Sequence, residues 1–331
     1  MIKKSIRNTI ATGKITLPAA IFLSALMWIV TYFVDSEPTV QTTYPLAQLL
    51  EPTFLSRQIV TIMNLLLCGV VGYTLIELNN VYTVIRKRTM LHCSIYVLLV
   101  SICPFLHNSP AGSLISLCVC LSIFMLFKSY QKNEPVGYIF HSLLFLSLGS
   151  IWFPILLFFV PLYLLSAFSF QALTLRSFFA GLIGLFVPYL GLLSYAFLSD
   201  KIDLFYAPCR NLINIVPLDY SLLTASEYVS IIVVTFLMLV SAIHYLVTSN
   251  REKLQTRSYL NFIISLEIVI IILGVVQPQH FVTLFQLFLV GGSFLIAHLF
   301  CLSGSRLSNI FFLFSLVLIT LLALYNLWMC L

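Results

Sequence analysis

Long apolar runs recur from one end of the chain to the other, separated by short polar stretches. They fall near 15–34, 57–78, 91–107, 110–128, 136–152, 154–171, 177–198, 228–248, 258–276, 281–302 and 307–329. Runs of about 20 residues match the ~30 Å hydrocarbon core of a bilayer. In that solvent every backbone group needs an internal partner, which leaves helices or closed barrels. The alternating ~10-residue pattern of a membrane barrel is missing. Composition agrees: 60% of the 331 residues are hydrophobic and 8% charged, with mean hydropathy +1.05, whereas soluble domains carry about 25% charged residues. The expected fold is an all-α, polytopic transmembrane helix bundle of about eleven spans, one integral membrane domain over 1–331 with no separate soluble domain.

The first segment, "MIKKSIRNTIATGK", is basic and precedes an apolar run. It resembles a signal sequence, but the run is too long and lacks a small-residue cleavage site before "VDSEP", so it reads as an uncleaved first span. With the N-terminus inside, the inner side receives Lys3, Lys4, Arg7, Lys14, Arg86, Lys87, Arg88, Lys128, Lys132, Arg176, Arg251, Lys253, Arg257 and Arg306. Only Arg57, Lys201 and Arg210 remain outside. Cytoplasmic loops are enriched in Lys and Arg, so this asymmetry supports an inside N-terminus and an outside C-terminus. "GSIWFP" is the only punctuation in 136–171, which leaves a tight hairpin or a partly re-entrant segment. A single crossing there would invert every later loop, so the hairpin is expected. The net charge of +6 follows from this topology and does not point to nucleic acid.

Helix punctuation is consistent with these spans. "HNSPAG" offers Asn108 or Ser109 as an N-cap with Pro110 in the first turn. Ser109, Ser113, Ser116 and Cys120 then share one helical face, as do Ala180, Gly184 and Pro188 farther along. Small faces let helices approach closely in lipid, within the chain or against a membrane-protein partner. Cys118 and Cys120 form C-x-C, but two residues apart on a helix they point to nearly opposite faces, so no metal site is expected there. Cys209 and Cys330 fall on the outer side, where they would oxidise only if the compartment allows. No P-loop, Gly-x-Ser-x-Gly or His-Glu-x-x-His pattern occurs, and no cofactor is expected.

"LNNVYTVIRKRT" (78–89), "KSYQKNEPVGYIFHSLLFLSLGSIWFPILLFFVPLYLL" (128–165) and "LTLRSFFAGLIGLFVPY" (173–189) resemble a family of bacterial multi-pass inner-membrane proteins. The resemblance covers roughly the middle third of the chain. It rests on the proline-split hairpin and on the basic loop before a small-residue span. It implies the bacterial inner membrane and brings no activity with it.

One acid stands inside an apolar run. Glu267, in "NFIISLEIVIIILGVV" (261–276), lies near mid-bilayer, where a charge costs ~2.5–3.5 kcal/mol on insertion scales. It should face the bundle interior, partnered or protonated. His298, His141 and Asn64 lie at compatible depths, and His298, on the adjoining span, is the nearest choice. Such an acid serves a proton or cation relay, or it acts as hydrogen-bonding glue between helices.

A second polar concentration is external. Asp35 and Glu37 follow the first span, and "SDKIDLFYAPCRNLINIVPLDYSLLTASEY" (199–228) mixes charges with tyrosines suited to the interface. An outward arginine with amide neighbours, such as Arg210 in "CRNLIN", suits a lipid phosphate. This layout resembles membrane glycosyltransferases that use polyprenyl-phosphate sugars. By that resemblance, Asp35 or Glu37 would act as general base and Arg210 would hold the donor phosphate. Only about 22 residues separate the first two spans, whereas those enzymes have a longer first outer loop carrying its own helices. Three readings therefore stand: an enzyme on lipid-linked glycans, a proton-coupled transporter using Glu267, and a non-catalytic scaffold or complex subunit.

Overall fold

A computed structural model describes residues 16–34, 56–203, 205–206, 223–302 and 306–330. Among them are eleven α-helices and no strand: α1 (Thr16–Val34), α2 (Arg57–Tyr82), α3 (Leu91–Ile102), α4 (Pro110–Lys128), α5 (Val136–Trp152), α6 (Val160–Ser169), α7 (Leu175–Leu198), α8 (Ala225–Thr248), α9 (Leu254–Val276), α10 (Phe281–Leu302) and α11 (Arg306–Cys330). Among the described residues, eight helices are long and apolar enough to cross a membrane. The other three, α3, α5 and α6, are shorter.

The starts of α7 and α8 precede the apolar runs because each is capped by polar residues that hydropathy passes over. Thr174 and Ser177, and likewise Thr224 and Glu227, form reciprocal capping boxes. Ser109 is the residue before α4, and Pro110 opens the helix.

Around the central helix α10 lie α3, α4, α8, α9 and α11, and its most apolar stretch is buried throughout. Outward from this core, α4 carries α5, α5 carries α7, and α1 lies on α3. The far side of α7 (Phe179, Ile183, Phe186, Leu190) is exposed, as a lipid-facing surface is. Small residues set the α5–α7 contact. A Cβ at Gly184 would lie 2.5 Å from the Phe140 carbonyl oxygen, so only glycine allows this approach.

The same pairs give direction. Gly181 meets Ile139 and Leu143, Ser147 donates to the Leu185 carbonyl at 2.6 Å, and Ser150 meets the Tyr189 hydroxyl at 2.8 Å. Numbers rise together, so α5 and α7 run parallel and the chain reverses between them. The return begins with a 3₁₀ segment, Pro154–Phe159, and continues as α6. At about 2.0 and 1.5 Å per residue these cover roughly 27 Å, against roughly 26 Å for α5. The Gln131 amide then donates to the Phe170 carbonyl at 3.0 Å, closing the hairpin.

One expected run, 91–107, is interrupted. The helix ends at Ile102, and Cys103 is extended before Pro104, the conformation a following proline favours. About 10 Å shorter than α4 at 1.5 Å per residue, α3 leaves its link to α4 sunk within the bundle. His107, Asn108, Ser109 and Pro110 are all buried.

Candidate functional site

Two buried polar systems converge on α10. The first fills the interruption after α3, whose freed carbonyls need donors that lipid cannot supply. Asn64 Nδ2 donates to the carbonyls of Leu106 (2.8 Å) and His107 (2.7 Å), and Asn326 Nδ2 donates to that of Ile102 (2.9 Å). Because the Asn64 amide nitrogen is committed this way, its oxygen accepts from the Ser113 hydroxyl. Ser113 in turn accepts from Gln286 Nε2 at 2.5 Å. From α1, Thr31 bonds His107 Nδ1 at 2.8 Å, while Trp28 stacks on the same ring at 3.9 Å.

This interruption belongs to a recurring device. Pro104, Pro154 and Pro278 each open a 3₁₀ turn between two helices, and the three turns meet. Phe105 lies 5.8 Å from Phe281, and Phe153 lies 5.6 Å from His280. Pro154 and Pro278 stand in the sequence at joins between apolar runs, whereas Pro104 lies inside the run 91–107; each was visible there as an X-Pro step. Their convergence was not.

The second system contains Glu267. About 20 Å along α9 from Leu254, its side chain is wholly buried, and neither carboxyl oxygen makes a well-formed hydrogen bond among the described residues, although the Gly292 backbone amide approaches the group. The carboxyl group rests on Gly291 of α10, where any Cβ would overlap it. The expectation that this acid faces the bundle and α10 agrees with that placement. None of the three candidate partners reaches it. His141 is on the exposed side of α5, bonded to the Gly137 carbonyl at 2.6 Å, which corrects its expected inward position. Asn64 is committed to the α3–α4 link. His298 follows Gly291 by seven residues, two turns along the same face of α10, roughly 10 Å away.

The partner of His298 is another acid. Its Nε2 lies 3.6 Å from Oε1 of Glu252, and Oε2 of Glu252 lies 2.7 Å from Arg86 Nε, off the N–H direction. Tyr245 meets the imidazole edge-on at 5.5 Å. Lys87 caps the end of α10 by donating to the Cys301 carbonyl at 3.1 Å, a favourable place for a cation. Sequence reading counted Arg86 and Lys87 only as loop charges and passed over Glu252. The small pair Gly291–Gly292 in a bulky helix was the available signal for a side chain seated there.

Asp35, Glu37, Arg210 and Cys209 lie outside the described residues. No group of three or more His, Cys, Asp or Glu suited to a metal occurs among the described residues. Cys118 and Cys120 are free thiols. No family model, curated protein or solved structure matches this chain. Among its described residues the protein is all-helical, with eight apolar helices of membrane-crossing length, consistent with a membrane-embedded protein.

Proposed function

We propose that this chain is a secondary transporter of the bacterial inner membrane, coupling solute movement to proton binding at Glu267. One observation carries the reading: a fully buried carboxyl group with no well-formed hydrogen bond among the described residues, approached only by the Gly292 backbone amide and seated on a glycine of the most buried helix. A side chain kept as glue would be bonded, as Asn64 and Asn326 are. An uncompensated carboxylate in hydrocarbon is costly, so in this conformation the group is held as the neutral acid. Release of its proton requires contact with water, and that requirement links protonation to a change of conformation. The interrupted helices around α10 are the kind of irregular backbone through which transporters change shape. In this reading the eleven helices alternate in direction from a cytoplasmic N-terminus to an external C-terminus. The fourteen-to-three distribution of basic residues and the parallel α5 and α7 support that topology.

The test uses proteoliposomes carrying a trapped pH dye and exposed to fractionated small-molecule cell extract. Some fraction should drive proton movement with the wild-type chain and none with Glu267→Gln. Proton movement that persists in Glu267→Gln, or is absent with every fraction, refutes the coupling role.

A groove favours a second reading, an enzyme acting on lipid-linked, polyprenyl-phosphate glycans. Between α8, α9 and α10 lies an apolar cleft of about 270 Å³, walled by Leu223, Tyr228, Ile271, Phe281, Phe285 and Phe288. It would take a hydrocarbon chain, with Asp35 or Glu37 as base and Arg210 on the phosphate. Alanine at these three positions, with normal abundance and an unchanged glycan profile, would remove this reading and leave the scaffold in its place.

A further inference from the structure

We infer that Glu252, Arg86 and His298 form the port through which Glu267 exchanges its proton with water, an inference resting on the reading of Glu267 as the protonated group. The His298 ring is 1% exposed, and neither nitrogen has a hydrogen-bond partner among the described residues. Other buried imidazoles are tied down: His92 Nε2 lies 3.0 Å from the Leu75 carbonyl, and His107 Nδ1 lies 2.8 Å from Thr31. A histidine kept for structure would be held in the same way. His298 instead stands between two acids. On one side is Glu252 at 3.6 Å, and on the other, two turns along the same face, is the Gly291 seat of Glu267.

Access to water comes through Arg86. The Glu252 side chain is only 4% exposed although it lies in a loop, whereas its ion-pair partner Arg86 is 39% exposed. Charge therefore runs from solvent through Arg86 to a covered carboxylate and on to a covered imidazole. The titratable and charged groups facing His298 are Glu252 from the turn before α9, Arg86 from the loop before α3, and His244 and Tyr245 from α8. Arg257 takes part through its backbone carbonyl, which accepts from the Tyr245 hydroxyl at 3.1 Å.

Only O–H and N–H bonds change in the transfer. Glu252 takes a proton from water and passes it to His298 Nε2, which restores the carboxylate beside Arg86 and leaves an imidazolium. The imidazolium gives its Nδ1 proton to the Glu267 carboxylate, and the neutral ring then carries its proton on Nε2. Water entering between α9 and α10 bridges the last gap. In the conformation described, the space beside Gly291 is an apolar-lined void of about 10 Å³ among Phe294, Ile263, Leu266, Leu75 and Leu78, without the polar partners a water needs, so the gap stays dry until the bundle opens.

The experiment follows the infrared carbonyl band of protonated carboxylic acids in the full chain, in lipid nanodiscs, after transfer to deuterated buffer. The band lost in Glu267→Gln reports Glu267. Its deuterium exchange should slow by about 10-fold or more in Glu252→Gln and His298→Gln, since a positioned acid–base group contributes on that order or above. Imidazole in the buffer should restore the rate in His298→Ala, which separates proton relay from misfolding. Wild-type exchange rates in these variants, with the band intact, overturn the port while leaving Glu267 protonated. A band unaffected by Glu267→Gln overturns the reading of Glu267 itself.

Discussion

Replacing Gly291 with alanine tests whether the Glu267 carboxyl group is seated as described. The added methyl carbon would lie 2.9 Å from Cδ of Glu267 and 3.2 Å from Cγ2 of Ile263, and would overlap the carboxyl oxygen. Ordinary contact begins near 3.4 Å, so the carboxyl carbon must retreat by about 0.5 Å and its oxygen farther. Ile263, Leu266 and Ile270 are buried around it, and the adjoining void is about 10 Å³. Overpacking of this kind costs ~1–3 kcal/mol. Removing the side chain with Glu267→Ala vacates the space that the methyl needs. The Gly291→Ala penalty should then fall to about zero, a coupling energy of ~1–3 kcal/mol between two touching residues. Reversible unfolding of the four proteins in mixed micelles, by titration with a denaturing detergent, measures the cycle. Equal Gly291→Ala penalties in both backgrounds, within ~0.5 kcal/mol, would show that the carboxyl group sits elsewhere. The argument for an enclosed acid would then fail.

Asn64→Asp keeps the size but removes both donors to the Leu106 and His107 carbonyls. Orphaned buried acceptors cost ~1–3 kcal/mol each, while hydrogen bonds measured within membranes average only ~0.6, so a loss of ~1–4 kcal/mol is expected by the same unfolding assay. Gly184→Ala should destabilise by ~1–3 kcal/mol, because its methyl meets the backbone at Phe140 O (2.5 Å) and Leu144 N (3.3 Å) and no flexible tip can yield. Gly137→Ala, with nothing within 4 Å, should be neutral or stabilising by up to ~1 kcal/mol; equal penalties at the two glycines would refute the packing argument. Reporter fusions after Arg88, Lys132 and Lys253 should score cytoplasmic, and those near Asp203 and at Leu331 external; a cytoplasmic Leu331 would overturn the eleven-span topology.

Helix identity and approximate extent were legible in the chain itself. The runs at 110–128, 136–152 and 281–302 reappear as α4, α5 and α10 with those limits, because lipid forces each apolar segment to satisfy its own backbone. The inward orientation of Glu267 was legible for the same reason, since facing acyl chains would cost more than any packing contact could offset. Its neighbours were not legible. Depth admitted His298, His141 and Asn64 and chain order favoured His298, yet His141 faces outward, Asn64 bonds the α3–α4 link, and His298 lies two turns away beside Glu252. Proline marked the end of α3 locally, but only the assembled bundle decided that the link would be buried and bonded by Asn64 and Asn326. Likewise, Glu252 occupies a loop, where a carboxylate is ordinarily solvated, and the fold brings it beneath Arg86. The division has a physical cause. Depth follows from hydrophobicity summed over about 20 consecutive residues, whereas the direction a helix faces depends on small packing differences between sides that are nearly equally apolar, and those differences exist only between assembled helices.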